Sequence, residues 1–306
     1  MEILFYIVAT AAAGWLAVTL AKRLSTPPTP VIAPASAHGR IEVSADTILA
    51  PYAAALASTQ RPALAIALEP MADDDVLVGK VGGRAYWPQG HDYPRDGNGK
   101  PLFLLAQIDF SKTPKLTGYP DSGLLQFFIA NDDLYGADFD APAQSSAQKG
   151  FRVVYWPAPL AAPDPSTVPV SHGETYLPMD PRKPRRMRFS AGSETIGAGD
   201  AGIETILGQS VYTLAEAYAA RNGLPEDAVV DALYTELGRT GHKLGGYPYF
   251  TQEDPRRPED PRRLLLQLDT DDEMMWGDAG VANFFIDPDD LARRDFSGVM
   301  YNWDCH

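Results

Sequence analysis

The sequence has a single cysteine, Cys305, and few basic residues for its length. One cysteine excludes an internal disulfide and a cysteine-rich zinc site. The 306 residues include 26 Lys and Arg against 40 Asp and Glu, a formal net charge of −14. Phosphates repel so acidic a chain, so no nucleic-acid partner is predicted. With 45% hydrophobic and 22% charged residues, the composition is that of a folded globular protein.

Motifs of known catalytic and metal sites are also lacking. There is no Gly-x-Ser-x-Gly elbow, and the five histidines show no His-x-x-x-His spacing, so zinc is not predicted. Residues 197–202 spell G-x-G-x-x-G, but the preceding segment is polar and Arg-rich, which favours a loop over a dinucleotide site. Cys305 and His306 at the C-terminus indicate a free thiol rather than a nucleophile with its base. The sequence therefore assigns no reaction and no cofactor.

An uncharged apolar run occupies residues 3–21. As a helix it would be about 28 Å long, close to the hydrocarbon thickness of a bilayer. Glu2 precedes the run, and Lys22 and Arg23 follow it, which favours a retained anchor over a cleaved signal peptide. The positive-inside rule then places the body of the protein in the cytoplasm. We predict a single-pass anchor over residues 1–24 in a bacterial inner membrane.

The rest of the chain divides by composition. Residues 25–40 are rich in Pro, Ala and Ser and predict an extended tether. Residues 41–306 are predicted to form one body. Within it, two similar segments, 62–156 and 241–306, flank a segment at 157–240 that is Pro-rich at first and then carries two helices.

The two similar segments form an internal repeat. Each reads as a Gly-Gly turn, a buried strand, a loop and a second strand with Phe-Phe, because short apolar runs bounded by Gly, Pro and Asp favour strands. We therefore expect an α+β, mainly β fold of two duplicated β-rich halves around a pseudo-two-fold axis. The matched blocks are KVGG (80–83) with KLGG (243–246), LFLLAQID (102–109) with RLLLQLD (263–269), and GLLQFFI (123–129) with GVANFFI (280–286).

An acidic turn follows the second strand of each copy. Asn131, Asp133 and Gly136 match positions 1, 3 and 6 of a calcium-hand loop, but position 12 is Pro142 instead of Glu. Asp and Asn also cap turns through side-chain to backbone hydrogen bonds, which is the favoured interpretation here. Asp132 and Asp133 are kept as candidate binding residues, with a cation as the alternative.

Gln107 and Gln267 interrupt apolar strands at equivalent places. A buried amide needs hydrogen-bond partners. One interpretation is that both glutamines cap backbone groups where the halves meet. The other is that they line a shared cleft for a small ligand or a cation, in which Trp276 offers an apolar face instead of filling the core. The further members of that cleft would be Asp109, Asp269 and Asp278.

Several long blocks resemble the YwqG-like family, a bacterial domain of unknown function. They include PLFLLAQIDF (101–110), GLLQFFIANDDLYGADFD (123–140) and LLLQLDTDDEMMWGDAGVANFFI (264–286). The resemblance covers roughly residues 60–306. It implies a mainly β, internally duplicated fold and no particular reaction. It also implies a loose association with toxin–immunity gene clusters.

Charge, the missing catalytic signature and this resemblance together predict a membrane-tethered protein-interaction module of an immunity-like kind. Its acidic surface would suit a basic protein partner such as a nuclease toxin. The alternative is a small-ligand or cation-binding protein that uses the cleft between the repeats. An enzyme with dispersed carboxylates is the least favoured hypothesis.

Overall fold

The computed structural model describes residues 43–139, 146–158, 160–164 and 175–306. The predicted anchor (1–24) and tether (25–40) lie outside these residues. In the part of the chain that is described, no helix combines the length and apolar character needed to cross a bilayer. Residues Val43–His306 form one compact unit.

The described residues contain ten strands, which form one antiparallel sheet. The strands are β1 (Arg61–Pro70), β2 (Lys80–Val81), β3 (Phe103–Asp109), β4 (Leu124–Ile129), β5 (Phe151–Trp156), β6 (Arg185–Glu194), β7 (Lys243–Gly245), β8 (Arg263–Asp269), β9 (Val281–Ile286) and β10 (Met300–Asp304). Their spatial order is β10-β9-β8-β7-β1-β6-β2-β3-β4-β5, with β1 and β6 at the centre. We call β2–β5 the first arm and β7–β10 the second arm.

The two arms share one pairing pattern. Lys80 of β2 pairs with Gln107 of β3, and Lys243 of β7 pairs with Gln267 of β8. The β3–β4 and β8–β9 ladders shift register at the same step, at Leu104/Ala106 and at Leu264/Leu266. The mainly β architecture and the strands predicted from the matched blocks are therefore confirmed.

Strands β4 and β9 are buried along their whole length because both of their faces are covered. Successive side chains of a strand point to opposite faces. On the inner face, Phe127 of β4 packs on Phe284 of β9 with ring centroids 4.8 Å apart, so the two arms share one core. On the outer faces, Phe128 packs on Trp87 and Phe285 on Phe250.

Strand β6 lies inside segment 157–240, for which the sequence predicts a Pro-rich stretch and helices. Its basic residues interrupt the apolar pattern from which a strand is predicted. The structure accounts for two of them by ion pairs: Arg188 with Glu69 of β1, and Arg185 with Asp271. A polar strand can thus occupy the centre of the sheet because its charges find partners.

The helices pack mainly into a second apolar cluster. Two helices of segment 157–240 match the predicted pair, and the first of them ends at Asn222, where Gly223 caps it at a φ of 64°. The helices are α1 (Ala45–Leu49), which runs into a 3₁₀ turn (Ala50–Tyr52), α2 (Ala53–Ser58), α3 (Ile203–Leu207), α4 (Val211–Asn222), α5 (Glu226–Glu236) and α6 (Pro288–Arg293).

Candidate functional site

Gln107 is fully buried, and its amide is saturated by hydrogen bonds. Its Nε2 donates to the carbonyls of Val76 and Val78 at 2.9 Å each. Its Oε1 accepts from the backbone N–H of Tyr86 at 3.2 Å and from Nε2 of Gln126 at 2.7 Å. Two donors and two lone pairs are all that an amide offers. A ligand would have to break these bonds to reach Gln107.

Gln267 has the same environment in the second arm. Its Nε2 donates to the carbonyls of Arg239 and Gly241 at 2.8 Å each, and its Oε1 accepts from Tyr249 N–H at 2.8 Å. Asn283 stands where the first arm has Gln126, and it donates to the Tyr249 carbonyl at 2.8 Å. Each amide thus ties a strand to the loops of its own arm.

A buried lysine, which the sequence analysis did not single out, lies just before each Gly-Gly turn. In the first arm Lys80 donates to Oδ1 of Asp74, whose Oδ2 accepts from the Arg84 N–H at 2.8 Å. Burial lowers the pKa of Lys80, although Asp74 partly offsets it. Gly83 has a φ of 76°, and a Cβ there would overlap the Asp74 carboxylate.

The second arm repeats this arrangement with a different carboxylate. Lys243 donates to Oε1 of Glu194 at 2.9 Å, and Oε2 of Glu194 accepts from the Tyr247 N–H at 2.9 Å. Burial lowers the pKa of Lys243, against the raising effect of Glu194. A Cβ at Gly246 would overlap the Glu194 carboxylate. Because Glu194 lies at the end of β6, this pair also fastens β7 to the centre of the sheet.

Asp109 and Asp269 end equivalent strands but have different surroundings. Asp109 accepts from the N–H and the hydroxyl of Ser111 at 3.0 and 2.6 Å, and it lines a cleft of about 940 Å³ with Arg186. Asp269 accepts from the Gly241 N–H at 2.6 Å. The structure places these two carboxylates in separate environments.

The acidic turn after β4 is held by its own side chains. Oδ1 of Asp132 accepts from the N–H groups of Leu134 and Gly136 at 3.2 and 2.8 Å. Asp133 is exposed beside it. Asp132 thus caps the turn, as Asp commonly does. Over the described ranges, no group of three or more His, Cys, Asp or Glu residues is arranged to hold a metal ion.

Three loops and the end of β10 come together around this turn. Oδ1 of Asn131 accepts from the Tyr176 N–H at 2.7 Å. The N–H of Met275 donates to the carbonyl of Pro178 at 2.7 Å, which brings in the loop after β8. We call the surface formed by residues 131–139, 175–179, 272–278 and 303–305 the loop face.

An aromatic layer supports the loop face from below. Trp276 is fully buried and Trp303 nearly so. Tyr135 lies against both rings, with centroid distances of 5.4 and 4.8 Å, and Phe139 lies 5.5 Å from the Trp303 ring. The Trp303 Nε1–H donates to the Leu134 carbonyl at 2.8 Å. Trp276 therefore belongs to the core, and the loops that carry the exposed side chains rest on a rigid base.

The loop face exposes apolar side chains that a monomer would ordinarily bury. Six large hydrophobic residues are exposed in the described part of the chain, and four of them lie here, at 43% to 65% exposure. Contiguous apolar patches on soluble proteins commonly mark binding sites. The four are Leu134, Phe139, Tyr176 and Met275. Exposed carboxylates stand among them, namely Asp132, Asp133, Asp138, Asp272, Glu273 and Asp278.

Asp271 anchors the loop after β8 to the central strand β6 and to the residue just before β7. Its Oδ2 accepts from Nη1 of Arg185 at 2.6 Å and contacts Nε2 of His242 at 3.0 Å. Nδ1 of His242 accepts from the Asp269 N–H at 2.9 Å, so the proton of a neutral ring sits on Nε2 and points at Asp271. Burial raises the pKa of Asp271, but hydrogen bonds from Arg185, the Glu273 N–H and His242 outweigh it and lower that pKa.

Comparison with known proteins agrees with the predicted resemblance. A search of curated proteins finds no match to the chain. One family model, described as a domain of unknown function (DUF1963), matches residues 79–305, which include both arms and the loop face. The YwqG-like resemblance is consistent with this family, and that prediction is confirmed. The chain therefore belongs to the DUF1963 family of domains of unknown function.

Proposed function

We propose that this protein is a protein-interaction module and that its partner docks on the loop face. One observation carries the proposal: four of the six large hydrophobic side chains exposed in the described residues share this surface. Protein interfaces combine an apolar, aromatic centre with a polar rim. The loop face has this composition, with an aromatic layer beneath it that keeps the backbone in place.

The charge of the face defines the chemistry of the partner. Six exposed carboxylates stand among the apolar side chains. A partner segment that presents Lys or Arg beside an apolar anchor would match both features. Complementary charge of this kind speeds association and makes it sensitive to salt. Binding to the loop face should therefore weaken as the ionic strength rises.

A photo-crosslinking pair tests the proposal directly. Tyr176 on the loop face and Tyr212 on α4 are both exposed tyrosines, at 65% and 59%. A benzophenone amino acid at position 176 should yield an adduct with a basic protein in cells, and the same group at position 212 should not. Met275→Glu should abolish the adduct, because it adds a charge where the partner's apolar anchor would pack. Equal adducts from both positions, or none from position 176, would contradict a docking role.

Small-ligand or cation binding between the arms has less support. Gln107 and Gln267 use their amides on their own loops, and Trp276 fills the core. Asp109 and Asp269 lie in different surroundings. A calorimetric titration with Ca²⁺ that gave tight stoichiometric binding would restore this alternative.

We also propose that the two arms arose by duplication. Support comes from the matched register shifts, the equivalent glutamines and the equivalent buried lysines. If the arms are related by a pseudo-two-fold axis, Phe127 and Phe284 are counterparts that touch each other across it.

Membrane anchoring through residues 3–21, with the body in the cytoplasm, is likewise a proposal from the sequence. Cell fractionation tests it. The full chain should stay with the membrane after a carbonate wash, and deletion of residues 1–24 should release it. Protease added to spheroplasts should spare the body of the protein if it is cytoplasmic.

A further inference from the structure

A second surface, which shares no residue with the loop face, is a cleft lined by arginine. Its volume is about 780 Å³, within the range of about 300–1,000 Å³ that is usual for small-molecule sites. The cleft lies between β1, the start of α3 and the loop that leads into β8. Its arginines are Arg61, Arg256, Arg257, Arg262 and Arg263.

Two of these arginines are matched by carboxylates. Arg256 is buried and contacts Asp200 at 2.9 Å and Asp254 at 2.6 Å. Arg262 contacts Asp260 at 2.5 Å. These pairs hold the side chains of Arg256 and Arg262 in place. Arg256 is held further by its bond to the Arg262 carbonyl at 2.8 Å.

The other three arginines are not matched. Among the ion pairs of the described residues, none includes Arg61, Arg257 or Arg263. The chain has 40 acidic residues against 26 basic ones, so carboxylates are not scarce. Three guanidinium groups that share a concave surface without carboxylate partners leave a local excess of positive charge in an acidic protein.

Arg61 is the best defined of the three. It is half-buried, and its guanidinium lies 4.2 Å from the centre of the Tyr247 ring. The Tyr247 hydroxyl donates to the Thr59 carbonyl at 2.6 Å, so the ring is fixed. Burial lowers the pKa of Arg61, and repulsion from Arg263 and Arg256 lowers it further, while Tyr247 and Asp200 offset part of this shift. An anion in the cleft would relieve this repulsion.

We propose that this cleft binds a small phosphate ester. Guanidinium groups form paired, charge-assisted hydrogen bonds to phosphate oxygens, and arginine is the side chain best suited to that geometry. Three unmatched guanidinium groups suit a group that carries two or more negative charges. The phosphate can belong to a soluble metabolite or to a phospholipid headgroup. The following experiment separates these two sources.

Calorimetric titration of the full chain in a non-ionic detergent tests the proposal. The probes are glycerol 3-phosphate and, separately, short-chain phosphatidic acid carried in the same detergent, because each is a phosphate monoester with up to two negative charges. The test variant is Arg257→Gln/Arg263→Gln, because both residues are exposed and neither makes an ion pair in the described part of the chain. The control is Arg221→Gln on α4, an exposed arginine outside the cleft.

The double variant should raise the dissociation constant of the bound probe at least about tenfold, since each lost charge-assisted hydrogen bond is worth more than a neutral one. The control should match the wild type, and binding should weaken with added salt. Binding of glycerol 3-phosphate indicates a soluble phosphate ester, and binding of the lipid alone indicates a headgroup. Failure of both probes to bind, or equal binding by the wild type and the double variant, would overturn the proposal.

Discussion

The substitution Glu194→Gln keeps the shape of the side chain beside the buried Lys243 but removes its charge. The Glu194 carboxylate now accepts from two donors, Nζ of Lys243 and the N–H of Tyr247, each at 2.9 Å. A glutamine has only one acceptor oxygen, so it can serve one of these donors well, while its NH₂ group opposes the other. One buried donor therefore loses its acceptor, and the ammonium loses its counter-charge.

We expect Glu194→Gln to lower the free energy of unfolding by about 3 kcal/mol. This is the low end of the range for a buried ion pair that loses one partner, which is about 3–5 kcal/mol. The low end applies because the Lys243 side chain is 3% exposed while Glu194 is 23% exposed. The matched control is Glu69→Gln, which breaks the pair of Glu69 with Arg188 across the central ladder. That pair has a similar distance, 2.8 Å, but its side chains are 53% and 60% exposed. A surface pair is worth about 0–1 kcal/mol.

The effect should also depend on pH in a defined direction. The folded pKa of Lys243 is already below its unfolded value, and loss of the carboxylate lowers it more. Between the two pKa values the unfolded chain binds more protons than the folded chain, so stability rises with pH in that window. The difference in unfolding free energy between the wild type and Glu194→Gln should therefore become smaller from pH 7 toward pH 10.

Urea unfolding followed by tryptophan fluorescence measures both quantities, because the chain has five tryptophans. Curves at pH 7.0 and pH 9.5 for the wild type, Glu194→Gln and Glu69→Gln are sufficient. The argument from burial would be refuted if Glu194→Gln lost no more unfolding free energy than Glu69→Gln. It would also be refuted if the difference in unfolding free energy between the wild type and Glu194→Gln did not change with pH.

Three further predictions follow from the same contacts. Asp74→Asn in the first arm should destabilise the protein about as much as Glu194→Gln, by about 3 kcal/mol, in the same urea titration. Gly246→Ala should lower the melting temperature more than Gly241→Ala. Both glycines have positive φ, at which an alanine costs about 1–2 kcal/mol, but only at Gly246 would the added Cβ also meet a carboxylate. Asp271→Asn should cost about 2–3 kcal/mol at pH 6, since charge-assisted bonds are lost. Because the folded pKa of Asp271 is lowered, this cost should shrink as the pH falls through that pKa, and a cost that grew on acidification would contradict the assignment.

Much of the fold follows from local sequence signals. The Gly-Gly pairs predict turns, and the structure has positive φ at Gly82, Gly83, Gly245 and Gly246. Short apolar runs predict β3, β4, β8 and β9, because these strands are buried on both faces and carry no polar alternation. These signals are local, so a single sequence is enough to read them.

Other parts of the structure depend on partners that are distant along the chain. The basic strand β6 is stable because Glu69 and Asp271 supply counter-charges. Both residues are distant from β6 in the sequence, so no local pattern predicts these pairs. The partner of Lys243 lies 49 positions earlier, at Glu194.

The loop face was only partly predictable for the same reason. The sequence indicates Asp132, Asp133, Trp276 and Asp278 as candidates, but Trp276 lies in the core. The sequence does not reveal the exposed hydrophobic residues, because an apolar side chain near a turn has the same sequence signature whether it is buried or exposed.

The central ladder has a consequence for how the chain folds as it is synthesised. Strand β1 pairs along one edge with β6, which begins more than a hundred residues later. Along its other edge β1 pairs with β7, which follows β6 in the chain. The β3–β4 hairpin closes locally, so the first arm can assemble while β1 still has both edges open. Unpaired strand edges favour association with other chains. The interval between emergence of β1 and arrival of β6 and β7 is therefore the period in which the nascent protein most needs protection from aggregation.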